Sequence, residues 1–151
     1  MITSGKKFSL DASIWSGLIA GIVFFILLIM YVPKATNMGT WSMSRALGAF
    51  AMGPEVLEPA DVFHPRAFVF GFFVHILACF IYAAIINLAL HRFYKWIGMI
   101  GGAFFGFLIY LFEFNVLTLM FPWYTQFQSQ PILWTYVIFG ILTARTYKFF
   151  E

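Results

Sequence analysis

The stretch LIYLFEFNVLTLMF, residues 108–121, decides how the rest of the chain is read. It is largely apolar on both sides of Glu113. Extended back to Ile97, it gives a segment closed by Pro122 that exceeds the roughly 20 residues needed to cross a bilayer core. A carboxylate alone in hydrocarbon costs a few kcal/mol or more, so Glu113 requires a partner, a function, or both.

Composition agrees with a membrane reading. The 151 residues are 62% hydrophobic, 22% aromatic and 10% charged, with a mean hydropathy of +0.89. Soluble domains carry about 25% charged residues. A chain this small exposes much of its surface, so lipid has to cover the apolar excess. The single cysteine, Cys79, excludes an internal disulfide and a cysteine-based zinc site. The net charge of +3 comes without a basic cluster, which excludes a nucleic-acid surface. Lys6 and Lys7 precede the first apolar run as in a signal peptide. The run is long and lacks a small-x-small cleavage pattern, so it reads as a retained helix.

Four spans follow: 13–32 closed by Pro33, 67–90, 97–121, and 131–147 opening on Pro131. The last is short, and Arg145 and Lys148 near its end are expected to snorkel to the interface. Short connections predict antiparallel neighbours, with the second and third spans forming a hairpin. With the N-terminus inside, Lys6, Lys7, Arg92, Lys95, Arg145 and Lys148 lie in the cytoplasm, against Lys34, Arg45 and Arg66 outside. That bias predicts a bacterial inner-membrane protein with both termini cytoplasmic. Trp15, Trp96, Trp123, Tyr124 and Trp134 read as an aromatic belt.

The long outer connection contains TWSMSRALGAFAMG, residues 40–53. Trp41, Leu47 and Phe50 recur at near-helical spacing, with Thr40 or Ser42 as cap and Gly53-Pro54 as stop. This predicts an amphipathic helix over 40–52 on the membrane surface or at the bundle mouth. PEVLEPADVFHP, residues 54–65, has three prolines and reads as an extended connection.

Small residues mark the packing faces: Gly17 and Gly21, then Gly71, Cys79 and Ala83, then Gly98, Gly102 and Gly106. His75 falls in the second row and Glu113 lies seven residues beyond the third. In a hairpin turning near Phe93 and Tyr94 the two share a depth of roughly 12 Å below the outer surface. The expectation is therefore a buried His75–Glu113 pair. Tyr82, Tyr110, Asn115 and Thr118 could extend a polar path from it, with Asn87 the clear polar group toward the cytoplasm. The competing reading is interhelical glue that fixes register.

Glu55, Glu58, Asp61 and His64 recur every three residues with metal-ligand chemistry, but the three prolines break the helix that would align them. A solvated acidic loop is the preferred reading. A bis-histidine haem lacks a second histidine at matching depth on another helix. No cofactor is expected. Ser16, Ser42 and Ser44 have no base nearby in sequence, and Cys79 lies in an apolar run, so no catalytic residue is expected.

SGLIAGIV (16–23), VHILACFIYAAI (74–85), KWIGMIGGAFFGFLIY (95–110) and FPWYTQF (121–127), in that order, resemble the YagU-type bacterial inner-membrane proteins. The resemblance covers most of residues 16–148 and implies a four-helix inner-membrane protein, with no particular activity attached. His75 stands where that family has a helix-two histidine. Glu113 is not part of the family pattern, and the outer loop is shorter.

The sequence thus predicts an all-α, four-helix transmembrane bundle with an interfacial helix. Its expected role is a non-catalytic accessory or assembly subunit, in contact with lipid and with other membrane subunits or further copies of itself. The alternative is a small proton- or ligand-linked transporter or sensor built on His75 and Glu113.

Overall fold

The computed structural model describes residues 7–151. Lys6, counted above with the cytoplasmic charges, lies outside the described residues. Among the described residues there are helices and turns and no strand. The long elements are α1 (Leu10–Thr36), α3 (Pro65–Leu90) and α4 (Lys95–Met120), with α5 (Gln130–Phe150). The shorter α2 (Ser42–Met52) lies between α1 and α3.

α1 starts at Ser9, whose hydroxyl accepts from the Ala12 N–H at 3.2 Å, as expected of an N-cap. The helix does not stop at Pro33, as the sequence suggested. It runs to Thr36 and ends on Asn37 in the left-handed region, φ 55°. A π-turn over Leu27–Tyr31 precedes the proline, and the Val32 N–H reaches back to the Leu27 carbonyl. A proline normally breaks a helix through its missing N–H and a clash one turn back. Widening that turn relieves both. α4 has a second π-turn, Glu113–Leu117, which opens on the buried carboxylate.

α1, α3 and α4 are long and apolar enough to cross a membrane. α5, with 21 residues, is long enough but is not among them. Its position explains why. α5 lies at the centre, packed on α4 and α1 and more lightly on α3. A helix surrounded by protein can carry Thr135, Thr143 and two tyrosines on its buried face.

The packing also corrects the expected hairpin. α3 and α4 are joined by a short turn yet scarcely touch, while α4 packs along α5. The cause is the glycine face of α4. A Cβ placed on Gly102 would run into the Gly140 carbonyl, and one on Gly106 into the Tyr136 carbonyl. The α4 and α5 backbones are therefore in contact, an approach only glycine permits. α1 meets α3 in a similar way, Gly17 against Ala83 and Gly21 against Cys79.

Of the two placements expected for the helix over 40–52, α2 shows the packed one. All residues from Ser42 to Ala49 are buried, and the helix packs on α3 with Gly48 against Ala67. Its N-cap position is Trp41, with no side-chain cap from Thr40 or Ser42. Arg45, 2% exposed, explains how the connection between α2 and α3 is held. Its guanidinium donates to the carbonyls of Val62 (2.8 Å), Val56 (2.7 Å) and Glu58 (3.2 Å). One buried cation thus satisfies three loop carbonyls, where leaving them unpaired would cost about 1–3 kcal/mol each.

The first and last of the described segments meet at one end of the bundle. The Ser9 N–H donates to the Tyr147 hydroxyl at 3.0 Å. Lys148 pairs with Glu151 at 2.9 Å and donates to the His91 carbonyl in the α3–α4 turn.

Candidate functional site

Glu113 does not pair with His75. Its carboxylate collects three tyrosine hydroxyls. Tyr82 on α3 donates to Oε1 at 2.7 Å, while Tyr124 (3.2 Å) and Tyr136 on α5 donate to Oε2. The Tyr124 and Tyr136 oxygens are 3.4 Å apart. Phenols offer hydrogen bonds without charge, so the site meets the desolvation of the carboxyl group with donors alone. Tyr124 comes from the 3-10 turn Pro122–Phe127, which folds back under α2 and stacks its ring on Phe114 at 4.7 Å. It is buried inside the bundle, a correction to its expected place in the aromatic belt. Burial in this apolar surrounding, with Glu113 beside it, raises its hydroxyl well above the ordinary tyrosine range.

His75 has other partners. Its Nε2 donates to the Gly21 carbonyl at 3.0 Å, since a carbonyl can only accept, and the Cys79 sulfur lies 3.4 Å away. Phe24 and Phe25 flank the ring at 4.9 and 5.4 Å. The imidazole therefore bridges α1 and α3, which approach closely at Gly21, where an added Cβ would lie 3.0 Å from the Cys79 Cβ.

His75 and Glu113 do share a cavity of about 100 Å³. Phe24 and Leu28 of α1 line it, with Leu47 and Phe50 of α2. Val74, Ala78, Cys79 and Tyr82 of α3 form one wall, and Leu117, Tyr124 and Tyr136 complete it. It lies where α3 and α4 fail to close on each other. A second hollow in the same seam, about 640 Å³, is lined by apolar residues from Ala89 and Leu90 through Ile100 and Phe104.

The other expected polar residues have partners of their own. Tyr110 donates to the Ser129 carbonyl at 3.4 Å. Asn115 and Thr118 donate to carbonyls one turn back in α4, those of Leu111 and Phe114. Of that set only Tyr82 reaches Glu113. Asn87 belongs to a separate cluster toward the other end, donating to the hydroxyls of Ser13 (3.1 Å) and Ser16 (2.8 Å).

Glu55, Glu58, Asp61 and His64 do not gather. Glu58 accepts from the Ala60 N–H at 3.0 Å, Asp61 from Thr40 at 3.1 Å, and His64 caps α3 by accepting from Ala67 at 3.1 Å. Among the described residues no three His, Cys, Asp or Glu side chains are placed to hold a metal ion.

Sequence reasoning missed Tyr136 and misplaced Tyr124. Tyr136, Gly140 and Thr143 recur on one face of α5, a small-and-polar stripe that marks a buried side. Fold and composition define an all-helical protein with three helices able to cross a membrane. No family model matches the chain, and neither a curated protein nor a solved structure does.

Proposed function

We propose that this chain is a non-catalytic integral membrane protein that binds a small ligand at Glu113, within the bilayer, and uses that site in transport or sensing. α1, α3, α4 and α5 are its four spans. Both termini face the cytoplasm of a bacterial inner membrane, since Lys7, Arg92, Lys95, Arg145 and Lys148 fall toward one end and outnumber Lys34, Arg45 and Arg66. Kinship with the YagU-type proteins belongs to the proposal and is carried by the quoted motifs.

One observation carries the reading. Three hydroxyls from three separate segments converge on a buried carboxylate that also borders a cavity. Polar glue needs the hydrogen bonds but not the space beside them. Intramembrane ionisable groups mark functional sites by default. The test is labelling with a membrane-soluble carbodiimide, which reacts with carboxyl groups reachable from lipid, followed by intact-mass analysis at pH 5–8. The wild-type protein should gain one adduct at Glu113, and Glu113→Gln none. A folded wild-type protein that stays unlabelled over the whole range would show the site to be sealed, and the reading would fail.

A second reading is favoured by the 640 Å³ apolar hollow between α3 and α4. As an accessory subunit, the protein would seat a partner's helix in that seam. Purification from native membranes in mild detergent, with the particle's mass and every co-purifying chain identified, separates the two. Stoichiometric partners favour the subunit, and a particle of this chain alone removes it.

A further inference from the structure

We propose that the ligand of the Glu113 cavity is an organic cation, with an alkylammonium head group as the part bound. The inference rests on the ligand-site reading above and goes on to name the chemical class.

Charge comes first. The three partners of Glu113 are neutral phenols, and among the described residues no lysine, arginine or histidine bonds to it. The nearby imidazole is committed to the Gly21 carbonyl. An ionised Glu113 is therefore a buried negative charge with hydrogen bonds but no counter-charge, and the complementary guest is a cation. The donors also leave room. A carboxylate offers about four lone-pair positions. Oε2 receives two hydroxyls and Oε1 only one, from Tyr82. The open position is thus on Oε1, the oxygen bonded to the α3 wall.

The walls come second. Phe24, Phe50, Tyr82, Tyr124 and Tyr136 surround the space. Aromatic faces attract cations through the ring quadrupole, the more so where water is excluded. An inorganic cation prefers several free oxygens at short range, whereas the three tyrosine hydroxyls here are already turned to Glu113 and leave one carboxylate position open.

Size and access come third. About 100 Å³ is well above the ~15 Å³ that holds one water and below the ~300 Å³ of sites for drug-sized molecules. A head group fits, and a large ligand does not. On the α3 side the cavity is bounded by Val74 and Ala78, which are apolar and partly exposed toward the open seam. An amphipathic cation could enter from lipid with its apolar part trailing in the seam.

The probe is benzyltrimethylammonium, compared with neopentylbenzene, its uncharged isostere, and with sodium alone. The full-length protein in lipid nanodiscs is labelled with the carbodiimide at increasing concentrations of each. Saturable protection of at least tenfold by the cation and none by the isostere is expected. Direct calorimetric titration should show binding that weakens more than tenfold in Glu113→Gln and roughly fivefold in Phe24→Leu, which keeps the carboxylate. If Glu113 is labelled but the cation gives no protection, or the isostere protects equally, the ligand class is wrong while the site stands. Equal protection by sodium would make it an inorganic-ion site and overturn the proposal. If wild-type Glu113 cannot be labelled at all, the site reading fails and takes this inference with it.

Discussion

α4 has two seams, and they differ in kind. Toward α5 it presents Gly102 and Gly106, and the backbones touch. Toward α3, its neighbour in sequence, it presents Phe104 and Ile100, and the helices stand apart. The closed seam supplies stability and the open one supplies space. In lipid, helices gain nothing by hiding apolar surface from water, so shape decides which neighbour is held. A short turn brings α3 and α4 together in sequence but cannot make bulky faces interlock.

Substitutions at single positions can break or sharpen this contrast. The largest effect is expected at Gly140, whose added Cβ would strike the Gly102 carbonyl. Gly140→Leu should abolish the monodisperse folded particle in detergent. Gly102→Ala, a milder insult to the same seam, should destabilise by about 1–3 kcal/mol in thermal or denaturant unfolding.

Next comes the hydroxyl that ties the closed seam to Glu113. Tyr136→Phe removes one donor from a buried carboxyl group and should cost about 1–3 kcal/mol. Tyr82→Phe deletes the bond that crosses the open seam, and it should cost less because Tyr82 is only partly buried. Equal losses at both positions would mean the two seams share the load.

Filling the open seam should separate binding from stability. Ala78→Leu places bulk in the cavity wall, so carbodiimide labelling of Glu113 should fall at least tenfold while stability stays within about 1 kcal/mol. A large loss of stability would show the wall to be packed rather than open.

The smallest effects concern the remaining glycines of α4. A Cβ on Gly98 meets nothing within 4 Å. Gly98→Ala should therefore stabilise by about 0.5 kcal/mol through the better helix propensity of alanine. Gly101 faces the movable tip of Leu90, 2.7 Å from an added Cβ, so Gly101→Ala should lie within about 0.5 kcal/mol of zero. The same change, Gly to Ala on one helix, would then run from damaging to beneficial according to the seam.

What could be read without the structure follows the same division. Length and hydropathy reveal α1, α3 and α4 because those helices are long and apolar enough to cross a membrane. The buried carboxylate is visible for the same reason, as an exception in LIYLFEFNVL. Its partners are not. Tyr124 at a helix end resembles any interfacial aromatic until the Pro122–Phe127 turn is seen to fold inward. His75 and Glu113 border one cavity, yet depth says nothing of rotation about the helix axis, and His75 turns to the Gly21 carbonyl. Arg45 looks like an outer cation but holds the connection between α2 and α3 from inside, because three carbonyls there have no helix to satisfy them.

The central place of α5 bears on how the protein is made. With Thr135, Thr143, Arg145 and Thr146 in its length, α5 gains less from a bilayer than its three partners do. Of the five helices it is also the last to leave the ribosome. When it emerges, the α4 glycines that face it, Gly102 and Gly106, have already been made. The long helix that least resembles a membrane span is thus the one synthesised after the face that receives it.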